Sequence, residues 1–247
     1  MTTEAIGGRP PRGRPRTVTR KAVIEAGIAL TLDEVTVQAV AESLGVTRVA
    51  LYKHVPSQAS LRLLVAEGIL ERWSPPDTDG ESVEDFLLAL AVSLRALVTD
   101  HPGIAGYLSQ LQSGSRVSMA RFEQTHLRLV RLGLEPWQAS WMASTVAQQA
   151  IAATAVFGTP ASRTQRTEVL AQMTPEFSVF PIKHVHAREL GDDAVFLWTM
   201  RGLVRGCLAS LTDDDPRPAG APRTGGPGIP DPPAPTALRA ESRPPVW

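Results

Sequence analysis

The chain has 247 residues, 43% hydrophobic and 20% charged, with 25 basic side chains balanced by 25 acidic ones. This composition suits a globular protein with a sizeable core rather than a disordered chain, and zero net charge confines any basic surface to local patches. The single cysteine, Cys207, excludes a disulfide framework or a cysteine zinc site within one chain. No signal-like N-terminus and no uninterrupted apolar run of about 18 residues is present, so a cytoplasmic location is expected.

Residues 1–16 are rich in Gly, Pro and Arg and are expected to form a disordered basic arm. Arg9, Arg12, Arg14, Arg16, Arg20 and Lys21 face a single acid, Glu4. Pro11-Arg12-Gly13-Arg14-Pro15 fits the core of an AT-hook, in which glycine lies on the minor-groove floor between two arginines. It equally fits a solvated tail that adds only salt-sensitive attraction.

A first unit is expected over residues 17–73. Its first helix runs from Thr17 to about Leu32 on a stripe of Val18, Ala22, Ala26 and Ala29, capped by Thr17 or Thr19. Thr36 caps the next helix, whose apolar face is Val37, Val40, Ala41 and Leu44. Gly45 supplies the sharp turn, Thr47 caps a second short helix, and Leu51 and Val55 point it back onto the first. A small residue at 41, glycine at 45 and an aliphatic at 51 make a helix-turn-helix over 36–55. Its outward side is Arg48, Val49, Tyr52, Lys53 and His54, a set suited to phosphates and base edges. After Pro56, Ser57 or Ser60 starts a fourth helix reaching about Trp73, with Leu61, Leu64, Val65 and Gly68 inward.

The turn-forming stretch 74–80 marks a boundary. A second, larger helical unit is expected over 81–211. Ser82 and Asp85 form a capping-box-like start to a helix with Leu87, Leu90, Leu94, Leu97 and Val98 inward, ended at His101-Pro102-Gly103. Further helices are expected near 104–112, from Ser115 to Leu132, and from Pro136 to Phe157. Residues 163–172 suggest another, with a loop from Pro175 to about Pro181. A last helix, Asp193–Leu211, carries a stripe of Phe196, Met200, Leu203, Val204, Cys207 and Leu211, which makes Cys207 a core thiol. Residues 212–247 hold ten of the twenty-one prolines and are expected to be a disordered tail. The fold class is therefore all-α, without strands or repeats.

The "RGRPR" arm, the run "VTVQAVAESLGVTRVALYKHVPSQASLRLL" and the helical remainder resemble the TetR family of bacterial transcriptional regulators. The specific part is Thr36–Leu64, with Gly-Val-Thr-x-x-x-Leu-Tyr-x-His-Val at 45–55 close to the family signature. The rest resembles it in architecture only, its "LWTMRGLVRGCLASL" ending being similar to a dimerisation helix in the tetracycline-repressor-like branch. The resemblance implies that Thr36 and Thr47 touch phosphates, that Gln38 and Arg48 reach base edges, and that Tyr52, Lys53 and His54 hold the backbone. Tyr52 could instead pack on the third helix, and His54 could serve packing or capping. The chain departs from the family in two places. Leu32-Asp33-Glu34-Val35 replaces a longer, glycine-containing connection, and Gln58 stands where lysine is common, removing one phosphate contact.

The family implies a homodimer on double-stranded operator DNA and a small-molecule effector in the second unit, with no cofactor, metal or membrane partner. Gly202, Gly206 and Ser210 form a small-residue ridge that admits either a second copy or intrachain packing. Trp137 and Trp141, with Thr145, Gln148 and Gln149, have the make-up of an effector pocket; both tryptophans fit a core or dimer interface equally. His101, Tyr107 and Phe157 are further ligand-binding candidates. An enzyme is the rival class: Glu123-x-x-His126 has the spacing of a di-iron ligand pair, and His184-x-His186 could bind metal. The second motif and extra carboxylates of a di-iron site are missing, as are a phosphate loop and a Gly-x-Ser-x-Gly elbow. The expected function is a ligand-responsive transcriptional regulator, a repressor by family habit, and not an enzyme. The alternative is an architectural DNA-binding protein that uses its basic arm with little sequence specificity.

Overall fold

Hydroxyl side chains start the first five helices. The computed structural model describes residues 18–77, 82–111, 115–157 and 191–213, with the isolated positions 164, 168, 169 and 172. Among these are α1 (Arg20–Leu30), α2 (Val37–Leu44), α3 (Arg48–Tyr52), α4 (Gln58–Arg72) and α5 (Val83–Asp100). They are followed by α6 (Ile104–Leu111), α7 (Arg116–Arg131), α8 (Pro136–Phe157) and α9 (Asp192–Asp213), and no strand is found among the described residues. Thr19, Thr36, Thr47, Ser57 and Ser82 each accept a hydrogen bond from the backbone N–H three residues on, at 3.0–3.2 Å. Each such cap is worth about 1 kcal/mol. Asp85 answers Ser82 to complete the capping box. The arm 1–16 with Arg12 and Arg14, the Phe157 side chain, the loop 175–181, His184, His186 and the tail beyond 213 lie outside the described residues.

The first helix is shorter than expected and turns a different face inward. Val23, Ile24, Ala26 and Gly27 are buried, whereas Ala22 is half-buried and Ala29 exposed. The reason lies in α4. A Cβ at Gly27 would sit 2.2 Å from Val65 Cγ2, and one at Gly68 would sit 2.3 Å from Ile24 Cγ2. The two helices thus cross at paired glycines, each receiving the other's branched side chain. Ion pairs of Arg20 with Glu67 and Glu71, and of Arg72 with Glu25, flank the crossing. The Arg72 hydrogen bond holds the Glu25 carboxyl below the usual carboxylate range.

The short connection after α1 ends the helix at Thr31, a β-branched residue at φ 65°, ψ 154°. That region is almost exclusive to glycine. Thr31→Gly should therefore stabilise the fold by about 1 kcal/mol, a melting rise of roughly 2–4 °C. An unchanged or lower midpoint in differential scanning calorimetry would show the strain to be absent.

Beyond α4, the α5 stripe packs as expected: Leu87, Leu90, Leu94, Leu97 and Val98 are buried, joined by Phe86 and Ala91. On α5 lie α8 and α9. Phe196, Met200 and Val204 of α9 are buried, while Cys207 is only half-buried, which raises its thiol pKa. Arg95 of α5 stacks 4.5 Å from the Phe196 ring centroid and donates to Asp193 at 2.6 Å. The buried apolar side chains, Ile24 apart, form one cluster from Val23 to Val204.

Candidate nucleic-acid interface and effector region

The turn between α2 and α3 follows from Gly45, which caps α2 in the left-handed region at φ 66°. Its N–H donates to the Glu42 carbonyl and that of Val46 to the Ala41 carbonyl, both at 3.0 Å. This closes the helix end and redirects the chain. Buried Leu51 and Val55 then seat α3 against the core. What remains outward is Arg48, Val49, Tyr52, Lys53 and His54, all exposed, Val49 at 71% and Tyr52 at 49%. About half of the Tyr52 surface is thus open to solvent. Thr36, Gln38 and Thr47 are exposed as well. The two threonine hydroxyls already accept the capping bonds but keep their own protons to donate. Gln38 donates to Glu42 at 2.9 Å, so it must leave that partner to reach a base.

Gln58 has a role the sequence reading missed. Its Oε1 accepts from Val37 N–H at 2.9 Å and its Nε2 donates to the Val35 carbonyl at 2.5 Å. Arg62 Nε reaches the same carbonyl at 3.2 Å. Together they pin the start of α2 to α4, so Gln58 serves the placement of α2. A polar residue at the first position of a helix is no signal for such a bond, because its partners lie more than twenty residues away.

The candidate ligand residues do not share one environment. His101, Tyr107, Trp137 and Thr145 are half-buried, whereas Trp141 (40% exposed) and Gln148 face outward from α8. His126, on α7, shares a 2.9 Å hydrogen bond with Ser140 of α8. Among the described residues no group of three or more His, Cys, Asp or Glu could hold a metal.

His101 ends α5 in a corner that lies against the α1–α2 connection: a Cβ at Gly103 would come within 2.5 Å of Asp33 Oδ1. Burial lowers the His101 pKa, Arg72 adds to this, and Asp100 opposes it. The unfolded chain then binds the proton more readily than the folded one. Stability is full above the ordinary value of about 6.5 and is lost as pH falls toward the folded-state value. Melting midpoints should drop between pH 7 and 5.5, less steeply in His101→Gln; identical slopes would exclude His101 as the cause.

Solved structures with the same arrangement are numerous. TetR of Acinetobacter baumannii AYE matches with a TM-score of 0.58 at 22% identity, over 80% of this chain and 100% of that one. ActR of Streptomyces coelicolor, without ligand, matches with a TM-score of 0.62 at 18% identity, over 78% of this chain and 97% of that one. The chain has the TetR-family fold. In this TetR-like fold the signature-bearing stretch 36–64 falls on α2, α3 and the first half of α4. ActR has also been solved with actinorhodin and with (S)-DNPA, and a variant of the Acinetobacter protein with minocycline. No protein-family model matches the chain, and no curated protein is significantly similar to it.

Proposed function

We propose that the protein is a ligand-responsive DNA-binding transcriptional regulator that acts as a homodimer, most simply a repressor released by a small molecule. The observation that carries this is the outward face of α3. It presents Arg48, Val49, Tyr52, Lys53 and His54 to solvent, on a TetR-like fold that gives a helix-turn-helix this exposure. Arg48 makes a bidentate contact to guanine; Tyr52, Lys53 and His54 hold phosphates. Thr36 and Thr47 add hydroxyl contacts, and Arg12 and Arg14 add minor-groove or phosphate attraction. Such a regulator works in the cytoplasm.

Two recognition helices must enter major grooves about 34–36 Å apart, which takes two copies. The helix α9 provides the surface. A Cβ at Gly202 or Gly206 would meet no atom of the described residues within 4 Å, so neither glycine packs against them. Each nevertheless weakens the helix by about 1 kcal/mol relative to alanine. Trp198, one turn before Gly202, is 78% exposed. By length and composition α9 could cross a membrane, and 17% of its most apolar window is buried. Arg201 and Arg205, both paired with Glu84 of α5, hold it on the bundle instead. We assign its open face, with Trp141 and Gln148 of α8, to the second copy. Half-buried His101, Tyr107, Trp137 and Thr145, with Phe157, remain the candidates for effector contact.

The test is fluorescence anisotropy on DNA from upstream of the protein's own gene, beside a scrambled duplex, across a salt series. Tight binding to the native duplex alone is expected. Equal, salt-governed binding to both would point instead to an architectural DNA-binding protein, and absence of binding at low salt would end the regulator reading.

A further inference from the structure

Arg121 of α7 donates from Nε to the Leu70 carbonyl at 3.3 Å and from Nη2 to the Glu71 carbonyl at 2.7 Å. It therefore holds the last turn of α4. Seven residues on, and so on the same face of α7, stands Arg128. Its Nε and Nη2 are shielded from water and have no hydrogen-bond partner among the described residues. Other guanidiniums on the bundle are engaged, Arg62 with the Val35 carbonyl and Arg95 with Asp192 and Asp193. Two N–H groups shielded from water without a hydrogen-bond partner are costly, and each such group in a native protein calls for an explanation. The acids nearest along the chain and the α4–α5 connection, Glu123, Glu135 and Asp77, are exposed.

The unused edge is informative. Nε–H and Nη2–H run parallel and form the fork that grips a carboxylate with two bonds. The location matters too. The chain leaves α4 through Trp73, which donates to Ser93 of α5 at 2.8 Å, and Glu67 of α4 accepts from Ser115 at the start of α7 at 3.1 Å. The chain at the end of α4 is thus tied to α5 and to the face of α7 that carries Arg121 and, two turns on, Arg128.

We propose that Arg128 is the anion-recognising residue of the effector site, and that the effector carries a carboxylate bound at this seam. The inference rests on the ligand-responsive reading above and names the ligand's chemical class. An anion gripped by Arg128 lies on the face of α7 that holds α4, the helix joining the DNA-facing helices to the rest. If it binds one setting of α4 more tightly, it shifts the population toward that setting.

Thermal unfolding of the full chain with matched pairs, benzoate against benzamide and 1-naphthoate against 1-naphthamide at equal ionic strength, tests this. The acids should raise the wild-type midpoint by about 2 °C or more and the amides should not. Without ligand, Arg128→Met should melt about 2–4 °C above wild type, because two shielded, unpaired N–H groups are replaced by an apolar side chain. It should also lose the response to the acids, and Arg128→Lys, which keeps the charge but not the fork, should retain a small part. Lower midpoints in both variants would mean that the guanidinium has an intrachain partner and would overturn the proposal. So would equal stabilisation by acids and amides, stabilisation by neither, or a response surviving in Arg128→Met. Wild-type DNA binding, measured alongside, separates the two ideas. Operator binding without any response to the acids sinks the anion site alone, whereas such a response without DNA binding sinks the regulator reading and leaves the anion site standing.

Discussion

Replacing Arg48 with alanine is expected to weaken binding to the native duplex by about 5- to 150-fold, the equivalent of the about 1–3 kcal/mol contributed by a bidentate arginine–base pair. The loss should be confined to the native sequence, because a scrambled duplex offers no guanine in register. Lys53→Ala should behave differently, weakening both duplexes and lowering the salt slope by about 1. Neither change should move the melting midpoint. Both side chains are exposed, and surface substitutions away from caps and pairs stay within about 0.5 kcal/mol. Anisotropy across salt, paired with calorimetry, reads all of these quantities. If Arg48→Ala binds the native duplex as wild type does, α3 is not the reading helix.

The second large effect is expected at α9. Gly202→Leu with Gly206→Leu should convert the proposed dimer to monomer in sedimentation velocity. It should also cut affinity for a two-half-site operator by about 10²–10⁴-fold, because the second contact loses its effective concentration. The choice of leucine separates interface from folding. In an open helical position leucine favours the helix over glycine by up to about 1 kcal/mol, and a Cβ at either site meets no atom of the described residues within 4 Å. The monomer should therefore stay fully helical by circular dichroism. A dimer that survives both substitutions would place the interface elsewhere.

Much of the fold was legible because its signals are local. A cap uses a hydroxyl and an N–H three residues on, so Thr36, Thr47, Ser57 and Ser82 announce their helices within one turn of sequence. Gly45 marks a left-handed helix end in the same way. The leucines of α5 repeat at helical spacing with long apolar side chains, and all those expected to be inward are buried. The stripe on α1 was weaker because alanine fits either face, and only Ala26 of the chosen alanines is buried. Within the candidate DNA-facing set, exposure could be anticipated because Leu51 and Val55 fix which side of α3 turns in.

The sequence by itself therefore determined the all-helical class, most helix limits and the outward face of α3, because each depends on contacts spanning three to seven residues. Only the tertiary structure decided what joins these pieces. The crossing of α1 and α4 needs Gly27 beneath Val65 and Gly68 beneath Ile24. The seating of α2 needs Gln58 and Arg62 to reach Val35 and Val37, more than twenty residues away. Among the described residues, the open space beside Gly202 and Gly206 and the sealed, unpartnered edge of Arg128 likewise depend on what lies across from a residue. Such neighbours are distant in the chain and are brought together only when the whole core closes.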